Sequence, residues 1–136
     1  MLVTPYLSFD GQCEAAFKFY ERYLNGNLVA LLTYGDSPMA DQVPPERRGK
    51  IMHARLALGD AVLMGGDCPQ GQYRVPQGFT VTLGIDDPDE AERVFTALSE
   101  GGSVQMPLQE TFWAARFGML IDRFGIPWMI NCERAA

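Results

Sequence analysis

Phe79-Thr80-Val81-Thr82-Leu83-Gly84-Ile85-Asp86-Asp87-Pro88-Asp89-Glu90-Ala91 changes its period halfway along. Residues 79–85 are rich in β-formers and predict a strand. Asp87 then offers a helix N-cap, Pro88 suits the first helical position, and Asp89 and Glu90 complement the positive helix end. Ala91, Val94, Phe95 and Leu98 continue as a helical apolar stripe, which stops at Gly101-Gly102. The start of the chain has the same syntax. Residues 3–9 predict a strand ending at Asp10-Gly11, followed by apolar Ala16, Phe19, Tyr20, Tyr23 and Leu24 at helical spacing and a stop at Asn25-Gly26.

A shift of 76 positions lays Asp10 on Asp86, Glu14 on Glu90, Ala15 on Ala91, Phe19 on Phe95 and Gly26 on Gly102. Beyond the helices the shift falls to 66, placing Gly59 on Gly125 and residues 61–64 on 127–130. The first copy therefore carries ten extra residues. They fall in residues 35–49, whose prolines, glycines and charges read as a surface loop and a candidate lid. Further strands are predicted at 28–34, 50–58 and 61–65, with counterparts in the second copy. The reading is one domain over 1–136: module one about 1–66, a linker at 67–77, and module two about 78–136. Its fold class is α+β, two tandem βαβββ modules with mixed sheets, each having helix on one face and leaving the other for a ligand or partner.

Composition narrows the functions. The chain is 47% hydrophobic and 21% charged, as expected of a folded globular chain. Eleven basic against 17 acidic residues give a net charge of −6, with no basic stripe for a phosphate backbone, so nucleic acid is excluded as an expected partner. No stretch reads as a signal peptide or membrane span, and the expected location is cytoplasmic. Cys13, Cys68 and Cys132 form no CxxC pair and suggest neither a disulfide framework nor a zinc site.

Pro5-Tyr6-Leu7-Ser8-Phe9-Asp10-Gly11 with Ala15-Ala16-Phe17-Lys18-Phe19-Tyr20 resembles the opening of PhnB-like proteins, a branch of the glyoxalase/bleomycin-resistance (vicinal oxygen chelate) superfamily. The closing stretches resemble it too: Leu108-Gln109-Glu110-Thr111-Phe112-Trp113, then Asp122-Arg123-Phe124-Gly125-Ile126-Pro127-Trp128-Met129-Ile130-Asn131. The resemblance implies a cup of strands from paired modules and, in the superfamily's enzymes, a divalent metal held by His, Glu or Gln on the first and last strand of each module. The matching positions here are Val3, Leu63, Thr80 and Met129, which are not a ligand set; the neighbours Thr4, Met64, Phe79 and Trp128 are no better. Neither a metal nor another cofactor is expected. Some members of the family carry a demethylubiquinone methyltransferase label, but no glycine-rich loop of the kind a nucleotide-like cofactor needs follows a strand.

The single histidine, His53, lies in a strand whose Met52, Ala54, Leu56 and Leu58 are expected to face a helix, which leaves His53 and Arg55 on the opposite face. An imidazole can exchange protons near neutral pH, and a guanidinium can grip a carboxylate or phosphate in two places. The plain structural alternative is that His53 fills a dimer interface while Arg55 pairs with an acid such as Glu110. Tyr34, Trp113 and Arg116 complete the candidate ligand-binding set, Tyr34 and Trp113 as flat walls. Trp128 is assigned to the core. No catalytic residue is assigned.

Three functions fit: a metal-independent binder of a small metabolite or drug-like ligand in the cup; an enzyme (lyase, isomerase or dioxygenase), metal-dependent or using His53 and Arg55; or an interaction module whose open face meets another copy. A homodimer is expected, because Leu7, Leu63, Phe117, Met119 and Met129 are read as apolar side chains on uncovered sheet faces.

Overall fold

The computed structural model describes residues 1–134. The chain divides into two compact units, Met1–Arg74 and Val75–Ala136. The first contains β1 (Tyr6–Phe9), α1 (Cys13–Tyr23), β2 (Asn27–Thr33), β3 (Ile51–Leu58) and β4 (Ala61–Asp67). The second repeats the order with β5 (Val81–Gly84), α2 (Pro88–Ser99), β6 (Ser103–Gln109), β7 (Ala114–Ile121) and β8 (Pro127–Glu133). Each sheet is open and four-stranded, ordered β1-β4-β3-β2 and β5-β8-β7-β6. In each, the first strand runs parallel to the last and the other neighbours are antiparallel. This is the α+β tandem βαβββ fold. The first strand starts three residues later than the composition suggests, and β4 runs two residues further.

Each helix covers one sheet face. α2 buries the expected Ala91, Val94, Phe95 and Leu98. In α1 the buried stripe is Cys13, Ala16, Phe17 and Tyr20, rotated from the apolar spacing of Ala16, Phe19, Tyr20, Tyr23 and Leu24. Phe19 and Tyr23 are half-buried and pack on each other with ring centroids 4.7 Å apart. Phe17 reaches the sheet because β4 offers a glycine: a Cβ on Gly65 would sit 2.7 Å from the Phe17 ring. Gly118 does the same for Phe95 in module two, also at 2.7 Å.

Parity along the strands corrects part of the apolar-face reading. Leu7 and Leu63 are 1% and 2% exposed, in the core with Phe9, Ala54 and Leu56. Tyr6, Ser8 and Met64 take the uncovered side instead, one residue out of step with the expectation. Met119 and Met129 do pair across the face away from α2, and Phe117 lies on the same side. Each fully buried Leu or Phe contributes about 1.5–3 kcal/mol to folding, so these parities are strongly set.

Two buried carboxylates hold the connections. Asp67, at the end of β4, accepts N–H bonds from Gly11 (2.9 Å), Cys13 (3.0 Å) and Ile51 (2.8 Å). Asp122 accepts from the Phe124 and Ile126 amides and, at 2.8 Å, from the Trp128 indole. The closing signature from Asp122 to Trp128 thus encodes a tied turn, and Trp128 is fully buried as the sequence indicates.

Candidate functional site

His53 and Arg55 lie on the face of module one turned away from α1, since their neighbour Ala54 is buried on the helix side. Across the sheet His53 faces Leu32, while Arg55 is flanked by Ala30 and Met64. Met64 in turn faces Tyr6. The Tyr6 ring leans across the strand between them and stacks with His53, centroids 6.2 Å apart and planes inclined by 23°. Gly66 makes that possible, because a Cβ there would meet the Tyr6 hydroxyl at 2.6 Å. The hydroxyl donates to the Met52 carbonyl at 3.3 Å. Burial holds the Tyr6 phenol above its ordinary value, and the nearby Cys13, Tyr34, Cys68 and Asp67 push the same way.

Arg55 is exposed, and its guanidinium touches the Met64 sulfur at 3.7 Å. It does not pair with Glu110, which lies 3.5 Å from Arg134. Tyr34 sits just past the end of β2, its hydroxyl donating to the Asp67 carbonyl at 2.6 Å. Burial first, then Asp67 and Cys68, hold this phenol above its ordinary value against an opposing pull from Arg47. The Tyr34 ring is also one wall of a cavity of about 180 Å³ beneath the 35–49 loop. That loop contains two short 3₁₀ turns, Ala40–Gln42 and Pro45–Arg47. It is tied down by Arg48 donating to the Ala40 carbonyl and Arg47 donating to that of Cys68.

In module two, Trp113 lies between β6 and β7, 47% exposed, packed edge-on against Phe112 and Phe117. Arg116 lies within β7, opposite Cys132, and pairs with Glu92 of α2 at 3.1 Å. Arg116 is therefore on the helix side, apart from the Trp113 cluster's uncovered face. The Asn131 carboxamide oxygen lies opposite Phe117, buried and without a hydrogen-bond partner. Among the described residues, no three His, Cys, Asp or Glu side chains are grouped to hold a metal ion. Nor is any helix long and apolar enough to cross a membrane.

Sequence reasoning brought His53 and Arg55 together but missed Tyr6, Arg47 and Asn131. The signal for Tyr6 was available in the alternation of β1, where Tyr6 and Ser8 oppose Leu7 and Phe9.

A family model described as 3-demethylubiquinone-9 3-methyltransferase matches residues 2–131. The chain belongs to this PhnB-like family. Protein YjdN of Escherichia coli is 36% identical to this PhnB-like protein over 140 residues, covering 96% of this chain and 95% of that one. The crystal structure of protein PA1353 from Pseudomonas aeruginosa is 50% identical, with a TM-score of 0.90 and 99% of each chain covered. The fold extends to the PhnB protein of Bacillus cereus (24% identity, TM-score 0.82, 97% and 99% covered). The same fold is found in a glyoxylase/bleomycin resistance/dioxygenase domain from Frankia (14% identity, TM-score 0.65, 97% and 94% covered).

Proposed function

We propose that this PhnB-like protein binds a small metabolite or drug-like molecule without a divalent metal, using the open face of module one. The observation that carries this reading is the Tyr6–His53 stack with Arg55 in the next row. The stacked rings offer a flat apolar surface, His53 a proton donor or acceptor, and Arg55 a guanidinium whose contact is only a thioether, leaving it able to fork onto a carboxylate or phosphate. In module two, Trp113 is an aromatic surface of its own, packed edge-on against Phe112 and Phe117. Arg116, engaged by Glu92, is left out of the contact set.

The superfamily's metal does not fit this donor chemistry. On the uncovered faces the outer parallel pairs present Tyr6, Ser8 and Met64 in module one, and Thr82, Met129 and Asn131 in module two. Divalent ions need several charged or imidazole donors converging on one point. Methyl transfer is not part of the proposal either: Gly65 and Gly66 of β4 are required for packing against Phe17 and Tyr6, so they do not form a cofactor-cradling loop. We also infer a homodimer and a cytoplasmic location.

A thermal-shift screen of metabolites, repeated on His53→Ala and Arg55→Ala, tests the binding reading. The expected result is a ligand that raises the melting temperature of the native protein and does so less in both variants, while zinc, nickel, manganese and iron give no saturable shift. A ligand effect untouched by both substitutions, or a one-to-one metal effect, overturns it.

A further inference from the structure

We propose that the cavity beneath the 35–49 loop is a second binding site, taking a small organic monoanion with an apolar body. Met39, Val43, Pro44 and Pro69 give it an apolar lining, and Tyr34 adds an aromatic wall. Among its lining residues the only charge is Arg47; Gln42 and Gln70 are neutral and no acid is present. Arg47 takes part in none of the ion pairs among the described residues, and the hydrogen bond its guanidinium makes is to the Cys68 carbonyl at 2.8 Å. A guanidinium carries five donors in a fixed fork, so one carbonyl leaves most of its capacity unused on a residue that lines the cavity. The Tyr34 hydroxyl is committed to the Asp67 carbonyl, which leaves its ring as a contact surface.

These features select an occupant. A neutral apolar molecule would leave the guanidinium without a counterion, and an inorganic anion would leave the proline and methionine walls unfilled. A carboxylate or similar single negative group joined to a ring or short chain satisfies both. With a net charge of −6 on the whole chain, long-range attraction does not recruit the anion; Arg47 must hold it at contact distance. The 35–49 loop, longer than its counterpart in module two, closes the site over Tyr34, Pro69 and Gln70, and none of Tyr6, His53 or Arg55 lines it.

Benzoate and its neutral isostere benzyl alcohol are the probes, followed through the ¹³C-labelled methyl of Met39, assigned by its loss in Met39→Leu. Benzoate is expected to shift that signal saturably and to bind about tenfold or more tightly than benzyl alcohol, the ratio of a charge-assisted hydrogen bond to its neutral counterpart. Arg47→Gln is expected to abolish the preference, while His53→Ala leaves it intact, so failure of this site and failure of the open-face reading are told apart. No saturable shift, equal affinity for the two probes, or a preference that survives Arg47→Gln overturns the proposal. The comparison of probes on the unaltered protein tests the charge by itself, even where Arg47→Gln proves unstable.

Discussion

Asp67 shows how much can rest on one carboxylate. It is 3% exposed and receives three main-chain N–H groups, from the β1–α1 loop, the first turn of α1 and the start of β3. Removing it orphans all three, and we expect Asp67→Ala to lower the unfolding free energy by about 3–5 kcal/mol, read from urea denaturation. A loss below 1 kcal/mol would show that water replaces the carboxylate. Beside it, the Cys13 thiol is fully enclosed, and burial, followed by the charges of Asp67 and Glu14, raises it above the ordinary 9.0. A raised native value means that the stability it supports is complete below pH 9 and falls above it, as the unfolded chain loses a proton that the native chain keeps. Urea midpoints should therefore drop between pH 9 and 11, and the drop should be shallower in Cys13→Ala. Equal slopes in the two proteins would remove Cys13 as the cause. Neither role was legible in the sequence. The partners of Asp67 lie 56, 54 and 16 positions away, so nothing local announces them. His53 and Arg55 were legible because alternation along one strand suffices to pair them.

At the scale of elements, the two modules meet the same requirement by different means. The α2 N-terminus is capped locally: Asp87 accepts from the Asp89 amide at 3.1 Å and Pro88 follows it. Gln12 provides no such cap for α1, and Asp67 caps it from β4. At the corresponding strand end in module two, Cys132 of β8 places its sulfur 3.4 Å from the Asp86 carbonyl, a weak thiol bond to the strand–helix loop. Hence α2 could be read from its own residues and α1 only from its periodicity, which is where its stripe was misplaced. The helix ends also differ: Asn25 takes the left-handed conformation at φ 54°, and Gly101 takes it at φ 73°. Gly26 and Gly102, the residues that match in sequence, are needed for close approach instead, a Cβ on Gly102 falling 2.3 Å from the Ile121 carbonyl. Because the α2 cap is one exposed local bond, Asp87→Ala should cost only about 1 kcal/mol, well short of Asp67→Ala. Matching losses for the two substitutions, measured in the same urea titrations, would contradict the distinction between local and remote capping.

For the whole molecule, strand parity changes which residues favour a homodimer. Leu7 and Leu63 are core residues, out of reach of a partner. What replaces them is exposed: Phe112 is 89% exposed, Trp113 47%, Val29 52% and Val104 47%. Phe112 and Trp113 touch edge to face at 4.8 Å, so two aromatic rings form one contiguous apolar surface. An exposed aromatic pair is a natural contact surface for a partner. A second copy related by a two-fold axis would present the same surface and cover both at once. The expected outcome is a light-scattering mass of twice the 15.1 kDa monomer at micromolar concentration. Phe112→Asp, at a position that contributes little to the monomer's core, should move that mass toward the monomer without changing the urea midpoint of the dissociated chain. A native mass near 15.1 kDa would remove the dimer. A dimer indifferent to Phe112→Asp would move its interface elsewhere, and the exposed edge of β2 around Val29 would then be the surface to substitute next.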